Sequence, residues 1–409
     1  MKLIQINTVC NTSVGHIMGN IQKAAIEAGF ETLSIYGRRK GYKDIPCLKV
    51  GNGFSFWAHV ILTSVTDLHG LGSYYVTKKI IRVLKYEKPD IIHLHNIHGY
   101  YLNYRLLFDY LKNYYQGQIV WTLHDCWAYT GHCAYYTGAG CNRWIDGCYS
   151  CPEKGEYPIS LMLDESKYNY KAKRNSFTGL NNLTLIVPSK WLEVQVKRSF
   201  LKDYPVKVVS NGIDFEIFHP VQQVDIRKKF NIPDNKKILL GVALYWNKRK
   251  GMDDFIKLAK ILPEVYVIVL VGVSARQRKD LPDNIIGIDR TDNQRELAAL
   301  YTEAHIFVNP SVEETFSMVT VESMACGTPV IVLDTSAVCE LVNEKCGVVL
   351  HKETDIPVPA NLYMDAINEI DCRMQADEIT ADTVVLNALK YGVKDQTDKI
   401  VELYKNITT

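Results

Sequence analysis

Asn309-Pro-Ser-Val-Glu-Glu-Thr-Phe-Ser-Met-Val-Thr-Val-Glu-Ser-Met-Ala-Cys-Gly-Thr-Pro-Val-Ile-Val332 reads as a loop, a short helix and a new strand. The apolar run Ile306–Val308 leads into it as a strand. The spacing predicts a helix from about Met318, with Ser317 as its N-cap and Gly327 as its C-cap, before the strand Val330–Leu333. A strand–loop–helix–strand unit of this kind belongs to a parallel sheet with helices on its faces, and ligands of such sheets bind beyond the carboxyl ends of the strands. The loop then carries Glu314 toward a ligand, Glu322 sits on the helix, and the amides around Phe316–Met318 lie at the positive end of the helix dipole. Carboxylates suit sugar and ribose hydroxyls, and free amides suit phosphate.

The same alternation extends in both directions. Lys2–Asn7, Glu31–Tyr36, Ile91–Leu94, Ile119–Thr122 and Leu185–Val187 read as strands, with helical patterns such as Asn20–Ala28 and Tyr74–Lys88 between them. The pattern restarts with Val206–Val209, Lys237–Val242, Val265–Val271 and Ile285–Ile288. Two doubly wound α/β domains are expected, residues 1–204 and 205–391, divided near the proline-containing stretch Asp203–Val206. Two such domains facing each other would leave a cleft with a ligand in each half. The last run, Thr397–Asn406, has an apolar stripe at helical spacing.

A chain of 409 residues exceeds what one hydrophobic core usually supports, which agrees with two domains. With 47% apolar and 22% charged residues, disorder is excluded as the main state. Forty-seven basic against forty-five acidic residues leave a net charge of +2, which disfavours a dedicated nucleic-acid binder. The longest apolar stretches fall short of the ~20 residues that span a bilayer, and the start Met-Lys-Leu-Ile-Gln-Ile lacks a signal core, so a cytoplasmic protein is expected.

Five ordered stretches resemble one family. Glu314 and Glu322 bracket seven residues and are followed by Met-Ala-Cys-Gly-Thr-Pro-Val; to these add Asp90-Ile-Ile-His-Leu-His, Thr122-Leu-His-Asp, Val209-Ser-Asn-Gly-Ile-Asp-Phe-Glu-Ile-Phe-His-Pro and Glu296–Ser311. Together they resemble the retaining glycosyltransferases of family four, which adopt the GT-B fold. The resemblance implies a nucleotide diphosphate sugar donor bound by the C-terminal domain, and a terminal helix, about 392–409, crossing back to the N-terminal domain. It implies that Glu314 binds the donor sugar, that Glu322 holds the ribose, and that Thr315, Phe316, Ser317 and Met318 line the donor site. Lys250, in Lys248-Arg-Lys-Gly, resembles the family's lysine that neutralises the diphosphate. Where many relatives carry an arginine five or six positions earlier, this chain has Leu244 and Tyr245, and Arg249 is the candidate substitute. Arg290 falls where relatives approach the nucleobase; pairing with Asp292 explains it equally. His124-Asp125 matches a His-Asp whose histidine contacts the transferred sugar without acting as a base, and a core histidine satisfied by Asp125 is the plainer alternative. Gly15, in Asn11–His16, stands where many relatives have a glycine pair against the donor or acceptor. His93, His95 and His98 invite a metal reading, but a third ligand is not assured.

The stretch Trp127–Pro158 is long for a structureless loop. Its Cys133, Cys141, Cys148 and Cys151 lie within nineteen residues, four of eleven cysteines in the chain. A structural zinc, packed thiols and disulfides all fit this spacing, and His132 could replace one thiolate. No cofactor is needed for catalysis, because Lys250 and a helix N-terminus can hold the diphosphate. Lys78, Lys79, Arg82, Lys85 and Lys88 face one acid within Tyr74–Lys88, and Ser166–Ser210 holds nine basic residues. Such faces suit either solvent or an anionic membrane at the inner face of the cell, where a lipid-linked acceptor would lie. The expected function is transfer of a sugar to a saccharide or lipid-linked saccharide in surface polysaccharide (capsule-type) biosynthesis. The competing readings are a nucleotide-sugar epimerase on the same scaffold and a non-catalytic nucleotide-sugar-binding assembly protein; a dehydrogenase is disfavoured because no Gly-x-Gly-x-x-Gly follows the first strand.

Overall fold

A computed structural model describes residues 1–221, 225–352 and 358–408. Its strands fall into two all-parallel sheets. The first contains β1 (Lys2–Asn7), β2 (Glu31–Tyr36), β3 (Cys47–Lys49), β4 (Ile91–Leu94), β5 (Gln118–Thr122), β6 (Leu183–Val187) and β7 (Val206–Val208), in the order β3-β2-β1-β4-β5-β6-β7. The second contains β8 (Lys237–Val242), β9 (Tyr266–Val271), β10 (Ile285–Ile288), β11 (Ile306–Asn309), β12 (Val330–Leu333) and β13 (Gly347–Leu350), in the order β10-β9-β8-β11-β12-β13. Central strands are apolar on both faces, as sheets covered by helices require: every residue of β4, β9 and β12 is buried. This is the doubly wound, two-domain architecture expected of a GT-B fold. Among the described residues no helix is long and apolar enough to cross a membrane.

The chain divides into one unit of residues 1–210 with 396–409 and a second of 211–395. Both boundaries differ from the sequence reading. Val206–Val209 was expected to begin the second sheet, but β7 pairs in parallel with β6, register Leu185 to Val206, and the Leu185 N–H donates to the Pro205 carbonyl at 2.9 Å. The strand therefore extends the first sheet, and the division falls after Ser210. Gly392 bridges Ile213, and the Val393 N–H donates to the Ile213 carbonyl at 3.0 Å, which keeps 392–395 with the second unit. From Gln396 onward the helix Val393–Thr408 buries Ile400, Val401 and Tyr404 against Leu3, Ile17 and Ile21 of the first unit. The first helix also starts earlier than its periodicity suggested, at Ser13, which places Gly15 inside it.

Each sheet reverses its direction of growth once, between β1 and β4 in the first and between β8 and β11 in the second. At such a switch point the two flanking loops leave the sheet in opposite directions and open a crevice. The loops after β8 and β11 carry Lys250 and Glu314, while β4 carries His93 and the loops after β4 and β5 carry His95, His98, His124 and Asp125.

Candidate functional site

In the C-terminal unit the two switch-point loops are stitched by backbone. The Val312 N–H donates to the Arg249 carbonyl at 2.9 Å, and Asn247 caps the single turn Lys248–Lys250 by accepting from the Lys250 N–H at 3.1 Å. Gly251 follows at φ +75°, where a side chain is strained, and a Cβ there would sit 2.6 Å from Pro310 Cγ. Glycine is what lets the loops approach closely enough for Lys250 Nζ to pair with Glu314 Oε1. Arg249 Nη1 donates to the Glu313 carbonyl at 2.6 Å and stands 4.0 Å from the other Glu314 oxygen. Burial pushes the Glu314 carboxyl up, but Lys250 and Arg249 outweigh it and hold the group below its ordinary value. The Glu314 backbone is fixed as well, its N–H donating to Ser336 Oγ at 3.0 Å. The Lys250 ammonium is thus partly buried in an ion pair.

The helix Met318–Ala325 begins where expected, with Ser317 at the N-cap position and Gly327, at φ +85°, just beyond Cys326. The Ser317 hydroxyl makes no capping bond. It accepts instead from Asn309 Nδ2 and from Thr320 Oγ1, each at 3.0 Å, and so ties the helix start to the end of β11. Glu322 accepts from the Tyr301 hydroxyl at 3.1 Å, and burial pushes its carboxyl up to about 7. Glu322 thus carries a proton in part of the population at neutral pH, in contrast with ionised Glu314. Thr315, Phe316 and Ser317 are buried and Met318 is half-buried. Arg290 is exposed beyond β10, and the Asp292 carboxylate pairs with Lys229 at 2.7 Å.

In the N-terminal unit three imidazoles line up beside the switch point. The His93 and His95 rings lie 4.1 Å apart and His95 stacks on His124 at 5.5 Å. His95 Nδ1 and His124 Nε2 are 3.2 Å apart, His95 Nε2 meets Gln5 Oε1 at 3.0 Å, and His93 bonds to Thr122 Oγ1 at 2.7 Å and to the Tyr404 hydroxyl. Burial drives His124 down to about 4 and His93 to about 3, so both rings are neutral at pH 7. Asp125 acts on His124 as well, favouring its charged form, but burial outweighs this. Asp125 also pairs with His98 Nε2 at 2.9 Å and accepts from the Trp127 N–H at 3.0 Å, and these contacts outweigh burial and keep it ionised; His98 Nδ1 meets the Tyr157 hydroxyl at 2.9 Å. Gly15 lies buried on the first helix, where a Cβ would come 2.3 Å from the Cys10 carbonyl carbon, so close backbone packing requires the glycine.

The segment after Asp125, for which zinc, packed thiols and disulfides were all open, has its own core. Trp144 packs on Tyr136 at 4.9 Å and on Tyr129 at 5.1 Å, all buried. Lys173, counted in the sequence among solvated basic residues, is fully buried: Nζ donates to the carbonyls of Trp127 at 2.7 Å and Thr130 at 3.0 Å and lies 3.6 Å from the Trp127 ring centre. All eleven cysteines are free thiols. Cys133 is buried, and Cys141, Cys148 and Cys151 pack against the same core. Cys148 Sγ accepts from the Gly131 N–H at 3.1 Å and burial pushes its thiol up to about 12, whereas a hydrogen bond from Cys133 brings Cys151 down to about 7. His132 is engaged by Asp67, both side chains being wholly buried. Among the described residues no group of three or more His, Cys, Asp or Glu side chains forms a site for a metal ion.

Tyr301, Ser336, Asn309 and His98 position these groups and were not singled out in that role from sequence. Tyr301 and Asn309 fall inside the stretch Glu296–Ser311, whose pattern could have pointed to them; His98 was read only as a possible metal ligand, and Ser336 carries no local signal.

Residues 222–366 match the protein family described as "Glycosyl transferases group 1". The processive diacylglycerol alpha-glucosyltransferase of Acholeplasma laidlawii is 32% identical over 175 residues, 40% of this chain and 52% of that protein, so the chain matches about half the relative's length. The Escherichia coli (strain K12) protein named "Putative colanic acid biosynthesis glycosyl transferase WcaC" is 21% identical over 373 residues, 86% of this chain and 88% of the relative. The solved structure of Anabaena Alr3699/HepE in complex with UDP superposes with a TM-score of 0.67 at 16% identity, covering 99% of this chain and 100% of that one. At that identity the likeness speaks for the fold.

Proposed function

We propose that the chain is a retaining glycosyltransferase that moves a sugar from a nucleotide diphosphate donor to a hydroxyl of a saccharide or lipid-linked saccharide in surface polysaccharide biosynthesis. The observation that carries this reading is the Lys250–Glu314 pair, flanked by Arg249, at the switch point of the C-terminal unit and beside the start of the Met318–Ala325 helix. The match to the group 1 glycosyltransferase family covers this same region.

A bound diphosphate competes with Glu314 for Lys250 and draws on Arg249 and the helix amides, because phosphate oxygens accept charge-assisted hydrogen bonds as a carboxylate does. Glu314, relieved of its lysine, then accepts from sugar hydroxyls. Glu322, poised near neutrality, accepts from or donates to ribose hydroxyls. As the bond from the anomeric carbon to the phosphate oxygen breaks, negative charge grows on the diphosphate, and fixed cations there stabilise the transition state more than the ground state. The acceptor oxygen bonds to the anomeric carbon and its proton passes to the departing phosphate oxygen. Neutral His124 contributes hydrogen bonds to the transferred sugar, and ionised Asp125 is held by His98.

The test is incubation of the full chain with a panel of labelled nucleotide diphosphate sugars and extracted membranes. The expected result is one donor consumed, a labelled glycan formed with the donor's anomeric configuration, and nucleoside diphosphate released. An inverted linkage overturns the retaining assignment. A donor isomerised without transfer favours an epimerase, and donor binding without turnover favours a binding protein.

A further inference from the structure

The helix Gly53–Thr66 is built inside out. It buries His59 and Thr63, whereas Phe54 is 85% exposed, Trp57 and Ile61 are each 62% exposed and Val65 is exposed. Spacings of three, four and four residues put these four side chains on one face. None of the fourteen residues is charged. The helix is nevertheless firmly placed: Asn52 and Ser55 form a capping box, His59 Nε2 accepts from the N–H groups of Gly70 at 3.2 Å and Gly72 at 3.3 Å, and His59 Nδ1 meets Ser73 Oγ at 2.8 Å. Polar bonds anchor the inner face, so the outer apolar face is not an accident of loose packing.

A second element widens the patch. The Leu161 N–H donates to the Ser64 carbonyl at 2.8 Å, which pins the loop bearing exposed Leu161 and Met162 to the end of this helix. Large apolar side chains from two segments thus share one surface, well beyond the scattered exposed residues normal in a folded protein.

Positive charge borders this surface on one side. The Arg38 guanidinium sits 4.9 Å from the centre of the Phe56 ring, and Arg39 and Lys40 beside it are exposed. Lys79 Nζ reaches the Lys49 carbonyl at 3.4 Å, three residues before the Asn52 cap; in the Leu161–Met162 segment Lys154 Nζ reaches the Met162 carbonyl at 3.4 Å, with Glu156 and Asp164 exposed nearby in sequence. An apolar centre bordered by cations on its Arg38–Lys49 side matches a bilayer interface bearing anionic headgroups.

We infer that this face docks the protein on an anionic membrane surface, with Trp57, Ile61 and Met162 entering the interface and Arg39, Lys40 and Lys154 meeting the headgroups. The sequence had pointed to the basic helices Tyr74–Lys88 and Ser166–Ser210 for such contact; the structure supplies an apolar anchor on a different helix and removes Lys173 from any surface. The proposal uses no residue of the sugar-transfer reading and stands apart from it.

The experiment is flotation of the full chain with vesicles of phosphatidylcholine alone or mixed with about one third phosphatidylglycerol. The wild type is expected to float with the mixed vesicles, weakly with neutral ones, and less as salt rises. The double variant W57S/I61S is expected to lose roughly tenfold or more of this binding. Its thermal melting should be unchanged, because both side chains are solvent-exposed. R39S/K40S should weaken binding to the mixed vesicles and leave the weak neutral binding as it was. A wild type that ignores mixed vesicles overturns the proposal, as does W57S/I61S floating like the wild type. So does a wild type that sediments as a dimer and becomes monomeric in W57S/I61S, since that assigns the face to a second copy. The readout needs no donor or acceptor, so its failure leaves the transferase reading intact.

Discussion

Replacing Lys250 by alanine tests the centre of the C-terminal site through stability and ligand binding together. The Lys250 and Glu314 side chains are 18% and 12% exposed. Removing one partner of a buried pair costs about 3–5 kcal/mol because the other charge is left uncompensated. Here Arg249 remains 4.0 Å from the second Glu314 oxygen and the pair is not fully dry, so ~2 kcal/mol is expected for Lys250→Ala. For a domain of this size that is a fall of roughly 4–8 °C in Tm. The pH dependence has a definite sign. In the wild type Glu314 lies below its ordinary value of 4.5, so the pair stabilises fully above that pH and its contribution is lost as pH falls through the lower folded value. Without Lys250 burial wins, the carboxyl rises, and the cost of a buried carboxylate is present at pH 7.5 and relieved by acid. The gap between wild type and variant should therefore narrow from pH 7.5 to pH 5, and Lys250→Ala/Glu314→Gln should recover much of the lost stability. In calorimetric titrations Lys250→Ala should also weaken nucleoside diphosphate ~10–100-fold while unphosphorylated nucleoside is unaffected. A variant as stable as the wild type at both pH values would refute the pairing. Equal wild-type affinity for nucleoside and nucleoside diphosphate would refute the diphosphate role.

Glu322 titrates with the opposite sign, since its folded carboxyl stands near 7 above an ordinary 4.5: stability should decline as pH rises from about 4.5 to 7, and Glu322→Gln should flatten that decline in thermal melts and keep ribose binding better than Glu322→Ala. In the cysteine loop Cys151, held near 7, should react first with iodoacetamide near neutral pH and Cys148, near 12, last, as read by peptide mass spectrometry; about one equivalent of zinc in protein purified without chelators, with all four thiols shielded, would instead support the zinc proposal.

Most strands of both sheets were legible because parallel strands buried on two faces leave nearly continuous apolar runs, which is why β4, β8 and β12 match the sequence reading end for end. β3 and β13 escaped it: each is a short edge strand of three or four residues with part of its surface in water. β7 was seen but assigned to the wrong sheet, because local pattern fixes a strand's existence and not its neighbour. The helix Gly53–Thr66 was missed for a deeper reason. Periodicity arguments take apolar positions as the buried face, and in this helix the buried face is His59 and Thr63. Of the candidate site, Lys250, Arg249 and Glu314 do come together, an arrangement that the family resemblance implied. Their partner Ser336 arrives from elsewhere in the fold, and a hydroxyl that accepts one backbone N–H has no sequence signature. The same holds for Lys173: a lysine on a helix counts as solvated until the fold closes over it.

The two switch points differ in a way that composition could not show. In the C-terminal unit the loops present a lysine and an arginine around ionised Glu314, next to a helix N-terminus, groups that an incoming phosphate can draw on. In the N-terminal unit burial has stripped His93 and His124 of charge, Asp125 is ionised, and Lys173 is sealed behind Trp127 with both of its backbone acceptors satisfied. A phosphate placed there would meet neutral rings and a carboxylate, whereas an uncharged sugar hydroxyl meets no like charge. The division of labour proposed above, diphosphate in one unit and uncharged hydroxyls in the other, follows from how each fold sets protonation and not from how many charged residues each contains.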